Sequence, residues 1–87
     1  MKKAKKKQRR FIRDEEGLKL LAERLKEVRS EKGFTQEQLA NDANLSLSQI
    51  ARIETSRINP TVSTIFQIAR TLNVNAGDLL NFKLPKK

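Results

Sequence analysis

From residue 18 onward, apolar residues recur along this chain at helical spacing. Leu18, Leu21, Ala22, Leu25 and Val28 follow one another at three- and four-residue intervals, which predicts a helix over 18–32. Asp14, Glu15 and Glu16 near its amino end, and Arg29 and Lys32 near its carboxyl end, suit the helix dipole. Gly33 ends it through a positive φ, and Phe34 then anchors the core. Thr35 with Gln38 has the form of a capping box and opens a second helix over 35–43, with Leu39, Ala40 and Ala43 inward. Asn44 tolerates the left-handed conformation, and Leu45 plugs the core. Ser46 with Gln49 repeats the box and opens a third helix over 46–55, with Ile50 and Ile53 inward. A polar connection leads to Thr61, which caps a fourth helix over 61–72. Its apolar residues are Val62, Ile65, Phe66, Ile68, Ala69 and Leu72. Asn75 with Asp78 opens a fifth over 76–81 that holds Leu79 and Leu80. No segment alternates polar and apolar long enough for a strand, so the fold class is all-α.

Composition narrows the function. The 87 residues suit one small domain with a thin core, burying roughly 60% of the extended surface. Histidine and cysteine are both absent. The common metal ligand, the usual neutral-pH base, thiolate chemistry and disulfides are therefore excluded. The carboxylates are scattered singly, apart from Asp14 to Glu16, which helix capping explains. The expectation is no enzyme, no catalytic residue, no metal and no cofactor. Phe supplies all the aromatic content, which leaves no stacking platform for RNA. No apolar run reaches the roughly 18 residues of a membrane span.

Charge divides the chain. The net charge is +9, yet residues 1–13 carry eight bases and no acid, so the remainder contributes only +1. The expected organisation is a disordered basic arm over 1–13, a helical body over 14–84 and a short tail over 85–87. In the arm, Lys5, Lys6, Lys7, Arg9 and Arg10 are candidate phosphate contacts. The other reading of the same run is a solubilising start. No apolar stretch of signal-peptide length follows it.

The most informative unit is Gln36 to Arg57. Two short capped helices are joined by the turn Asn44-Leu45-Ser46, and Ala40, Asn44, Leu45 and Ile50 fit the small crossing residue, the tight turn and the buried residues beside it. Those are the needs of a helix-turn-helix. The second of the two begins Ser46-Leu47-Ser48, rich in hydroxyls and free of acid that would repel phosphate. Arg52 lies one turn beyond Ser48 on the same face. Leu47 has two readings: it meets a thymine methyl, or it tucks against the preceding helix.

Residues 24–80 resemble the lambda-repressor-like Xre/Cro family of helix-turn-helix DNA-binding proteins. The likeness runs through Arg24 to Arg29, Gly33 to Ala40, Leu45 to Ile50, Ile53-Glu54, Asn59-Pro60-Thr61 and Ile68 to Val74. It implies a compact five-helix lambda-repressor-like DNA-binding domain. By the same resemblance Gln36 contacts phosphate and braces a base-reading side chain, and Ser46, Leu47, Ser48 and Arg52 face the major groove. Arg29 and Glu54 match a structural ion pair, and Arg57 and Asn59 match a loop along the DNA backbone. Two departures stand out. Asn44 and Ser56 occupy positions where the family commonly has glycine, and the loop at Thr55 and Ser56 is expected to be slightly rebuilt.

The function implied is a sequence-specific regulator of transcription on double-stranded DNA, a repressor acting as a homodimer on a palindromic operator. Its expected place is cytoplasmic and nucleoid-associated, in a bacterial or phage setting. No small-molecule ligand is expected, because the helices use the whole body. The alternative is an antitoxin or a restriction-modification controller that also binds a protein partner such as a toxin. One helix-turn-helix reads few base pairs, so two half-sites roughly 34 Å apart are the expected target. Leu80, Phe82 and Leu84 are the candidate dimer interface, since Phe82 and Leu84 are expected to stand exposed in a monomer.

Overall fold

A computed structural model describes residues 12–86. The arm positions Lys5, Lys6, Lys7, Arg9 and Arg10 lie outside the described residues. Five helices follow in order: α1 (Glu15–Glu31), α2 (Gln36–Ala43), α3 (Leu47–Glu54), α4 (Val62–Leu72) and α5 (Ala76–Leu79). No strand occurs among the described residues.

Each helix start follows from a short polar side chain. Asp14 Oδ1 accepts from the Gly17 N–H at 2.9 Å, which starts α1 three residues ahead of the apolar periodicity. Thr35 and Gln38 bond reciprocally at 3.0 and 2.9 Å. Ser46 and Gln49 do the same at 3.0 and 3.1 Å. Thr61 Oγ1 accepts from the Thr64 N–H at 3.2 Å. At α5 the Asn75 N–H donates to Asp78 Oδ2 at 2.9 Å. Such caps contribute about 1 kcal/mol each.

The ends of α1 to α4 share one geometry. Gly33, Asn44, Ser56 and Asn73 take φ of 79°, 60°, 55° and 58°, all left-handed. The next N–H in each case reaches back five residues: Phe34 to the Arg29 carbonyl, Leu45 to Ala40, Arg57 to Arg52 and Val74 to Ala69. This is the Schellman ending, in which an apolar residue after the turn folds back onto the helix. Phe34, Leu45 and Val74 do so and pack against the core. At the end of α3 that place is held by Arg57, which is exposed, and Ile58 packs inward one residue later. Ser56 sits at the left-handed φ of that ending, a conformation that glycine takes without strain.

The core is formed by Leu25, Leu39, Ile50, Ile53, Ile68, Leu72 and Leu79, each fully buried. α3 packs on both α1 and α2, α2 packs on α4, and α5 bridges α4 and α1. Arg24 reinforces that bridge, its Nε donating to the Asp78 carbonyl at 2.6 Å. The α2–α3 pair is therefore held from behind by the rest of the domain, and α3 keeps one face open.

Apolar residues outnumber what this core takes in. α4 buries Ile65, Ile68, Ala69 and Leu72, leaving Val62 and Phe66 exposed four residues apart. Leu80 and Leu84 are also exposed. Phe82 differs from its expected exposure. The chain turns just after α5, with the Phe82 N–H donating to the Leu80 carbonyl at 2.9 Å, and Phe82 is half-buried against the core beside Leu20 and Arg24. No helix among the described residues is long and apolar enough to cross a membrane.

Candidate nucleic-acid interface

The eight residues of α3 split between two faces. Ile50, Ile53 and Glu54 point into the domain. Leu47, Ser48, Gln49 and Arg52 are exposed. Leu47 is 44% exposed, so its outer part is not packed away against α2. The only acid of α3, Glu54, is buried, so the exposed face carries a single charge, that of Arg52. By contrast, Glu16, Glu23, Glu27 and Glu31 are all exposed along α1. The open face of α3 therefore combines an apolar tip, a hydroxyl and a guanidinium with no competing carboxylate.

Ser46 plays a different part from Ser48. Its hydroxyl is occupied in the cap of α3 with Gln49. That leaves Ser48 as the free hydroxyl of the first turn. Gln49 is legible in the sequence only as a capping residue, yet it is exposed and its amide nitrogen has no partner among the described residues. The side-chain oxygen is committed to the cap, so the nitrogen is left as an outward donor.

Behind this face lies a buried polar cluster. Glu54, with a side chain 1% exposed, accepts from Arg29 Nε at 2.6 Å and from Arg29 Nη2 at 3.0 Å. Arg29 Nη1 donates to the Phe34 carbonyl at 2.8 Å. Gln36 Nε2 donates to Glu54 Oε1 at 2.9 Å. No buried side-chain nitrogen or oxygen among the described residues lacks a partner. The cluster joins α1, the turn after it, the first residue of α2 and the last residue of α3. Such a fork of charge-assisted bonds fixes relative orientation more than it adds net stability. The structure thus brings Arg29, Gln36 and Glu54 together in one network.

The loop after α3 carries Arg57 and Asn59, both exposed. A further cation meets this loop from the other end of the domain. Arg13 Nη2 donates to the Ser56 carbonyl at 3.0 Å and to the Arg57 carbonyl at 3.4 Å, while its Nε pairs with Glu15 at 2.7 Å. Arg13 reads in the sequence as the last member of a charge run. Nothing local signals a bond across 43 residues.

A helix-turn-helix domain family model matches residues 22–84. The immunity repressor protein of Bacillus phage phi105 is 40% identical over 60 residues, covering 69% of this chain and 42% of that repressor. Among solved structures, the restriction-modification controller protein C.AhdI from Aeromonas hydrophila is 31% identical with a TM-score of 0.70. It is matched over 71% of this chain and 94% of that one. The hypothetical transcription factor NHTF from Neisseria is 32% identical with a TM-score of 0.71, over 83% of this chain and 84% of that one. The chain spans less than half the length of the phage repressor. It belongs to the lambda-repressor-like Xre/Cro family of helix-turn-helix transcriptional regulators.

Proposed function

We propose that this protein binds double-stranded DNA sequence-specifically and represses transcription as a homodimer on a palindromic operator. The observation that carries the reading is the open face of α3, where Leu47, Ser48 and Arg52 stand exposed while the helix's one acid is buried. In a major groove, a guanidinium reads guanine, a hydroxyl reads either partner and an apolar tip meets the thymine methyl. Gln36 anchors to phosphate through the N–H that Glu54 does not use, and Arg57 and Asn59 follow the backbone beside it. Ser46 contributes through its backbone and the cap. The basic arm, with Lys5, Lys6, Lys7, Arg9 and Arg10, adds salt-sensitive affinity that is indifferent to sequence.

Leu80 and Leu84, both exposed, supply the two-fold contact, next to Phe82, which is half-buried against the core. Sedimentation of the protein alone, and binding to a palindromic duplex against a half-site, test this arrangement. The wild type sediments as a dimer and prefers the palindrome, and a double Leu80→Ser, Leu84→Ser variant loses both properties. A dimer that survives this change but is lost with Phe66→Ser would move the contact to α4. A monomer at high micromolar concentration, free and on DNA, would contradict the dimer.

The likeness to C.AhdI favours a second biological setting, control of a restriction-modification operon. The interface chemistry is the same in both settings.

A further inference from the structure

Among the exposed residues of α3, Gln49 is the one whose side chain is held in place by hydrogen bonds to other described residues. Its Oε1 accepts from the Ser46 N–H at 3.1 Å and from the Ser46 hydroxyl at 3.4 Å, while that hydroxyl accepts from the Gln49 N–H at 3.0 Å. Chemistry fixes which way round the amide lies: a backbone N–H only donates, so the oxygen faces it. A carbonyl oxygen has two lone pairs, and Ser46 supplies a donor for each. The Nε2 group keeps both its hydrogens, with no partner among the described residues.

The same bonds set where that donor sits. Gln49 is the third residue of α3, and its bond to Ser46 folds the side chain back to the amino end of the helix. Helix-turn-helix proteins present that end of the second helix to base edges in the major groove. Arg52 follows three residues on and is a neighbour on the helix surface. A free glutamine amide pairs with adenine, donating to N7 and accepting from the N6 amino group. Gln49 has no oxygen to spare for that pair, so only acceptors match it. Guanine sets two side by side, N7 and O6, and thymine has one. Adenine places a donor beside its acceptor, and cytosine offers a donor alone.

We propose that Gln49 is a specificity-determining residue, a donor-only reader that favours guanine and rejects cytosine at one position of each half-site because the cap of α3 holds its oxygen. The inference rests on the DNA-binding reading above and adds a contact beyond those of Leu47, Ser48 and Arg52. One side chain then serves two ends: it starts α3, and in doing so it fixes the hydrogen-bonding sense that it shows to a base.

Glutamate separates the two roles. Gln49→Glu preserves the capping box, since a carboxylate accepts from the N-cap as the amide oxygen does, but it turns an acceptor outward in place of a donor. Thermal melting should find this variant as stable as the wild type. Bound duplexes are then selected from a random pool with the full chain and with each variant. Gln49→Glu should exchange guanine for cytosine at one position of each half-site, because a carboxylate accepts from the cytosine amino group. The guanine-to-cytosine ratio there should change by about fivefold or more. Gln49→Ala should lose the preference at the same position. Gln38 is the control: it holds the same place in the cap of α2, its Oε1 accepting from the Thr35 N–H at 2.9 Å. Gln38→Glu makes the same change of charge and should leave the motif as it is. Gln49→Glu and Gln49→Ala pools that keep the wild-type motif would reduce Gln49 to a cap and overturn the proposal. A shift that Gln38→Glu reproduces would assign the effect to charge and overturn it too. So would a Gln49-dependent preference for adenine, which needs the oxygen released from the cap. A wild-type pool without any motif would instead strike at the DNA-binding reading.

Discussion

Gln36 and Glu54 meet across the helix-turn-helix, the amide Nε2 of the first residue of α2 donating to the carboxylate of the last residue of α3 at 2.9 Å. The end of α2 that would approach phosphate is thereby registered against the helix that would read bases. An amide nitrogen carries two hydrogens, so this bond leaves one free to face outward. Gln36→Ala should lower affinity for operator and random duplexes by similar factors, because phosphate contacts carry no sequence information. Competition binding on both duplexes checks this. A loss confined to the operator would make Gln36 a base reader.

The Arg29 fork should matter more for stability than for recognition. Glu54 is buried, and Arg29 supplies two of its three side-chain hydrogen bonds. Removing one member of a buried pair strands the other, at a cost of about 3–5 kcal/mol. Arg29→Met should therefore lower the urea midpoint sharply. The double variant Arg29→Met, Glu54→Leu should recover much of the loss, since no charge is left stranded. A single variant as stable as the wild type would contradict the account of this cluster.

Ser56 offers a gain. A residue with a Cβ is strained at its φ of 55°, and glycine there is not. Ser56→Gly should stabilise the domain by about 0.5–1 kcal/mol after the extra chain entropy of glycine is subtracted. Thermal melting measures it. Destabilisation would mean that the serine side chain makes a contribution exceeding its backbone strain.

What the sequence discloses here is what local physics controls. The boxes Thr35–Gln38 and Ser46–Gln49, the cap at Thr61 and the left-handed ends at Gly33 and Asn44 each depend on residues within a turn of one another, and each is readable. The inward set Leu39, Ile50, Ile53 and Ile68 follows from periodicity. The pairing of Arg29 with Glu54 comes through resemblance, since no local rule joins residues 25 apart. The Arg13 bonds to the loop after α3 span 43 and 44 residues and have no sequence signal at all. Phe82 departs from expectation for a related reason. Beyond the end of a helix, periodicity no longer says which side a residue takes, and here the turn after α5 folds it inward. On α4 the apolar residues span more than one face, so pattern alone does not separate Val62 and Phe66 from the core set.

Under the proposed function the exposed face of α3 reads base sequence, with Arg52 as its charged reader. Selection of bound duplexes from a random pool, performed with the wild type and with Arg52→Ala, tests this role. The wild type should enrich a palindromic motif. The variant should enrich the same motif with the preference lost at one base pair in each half-site, a discrimination of roughly 1–3 kcal/mol. A wild-type pool without any enriched motif, or an Arg52→Ala pool with every position unchanged, would contradict it.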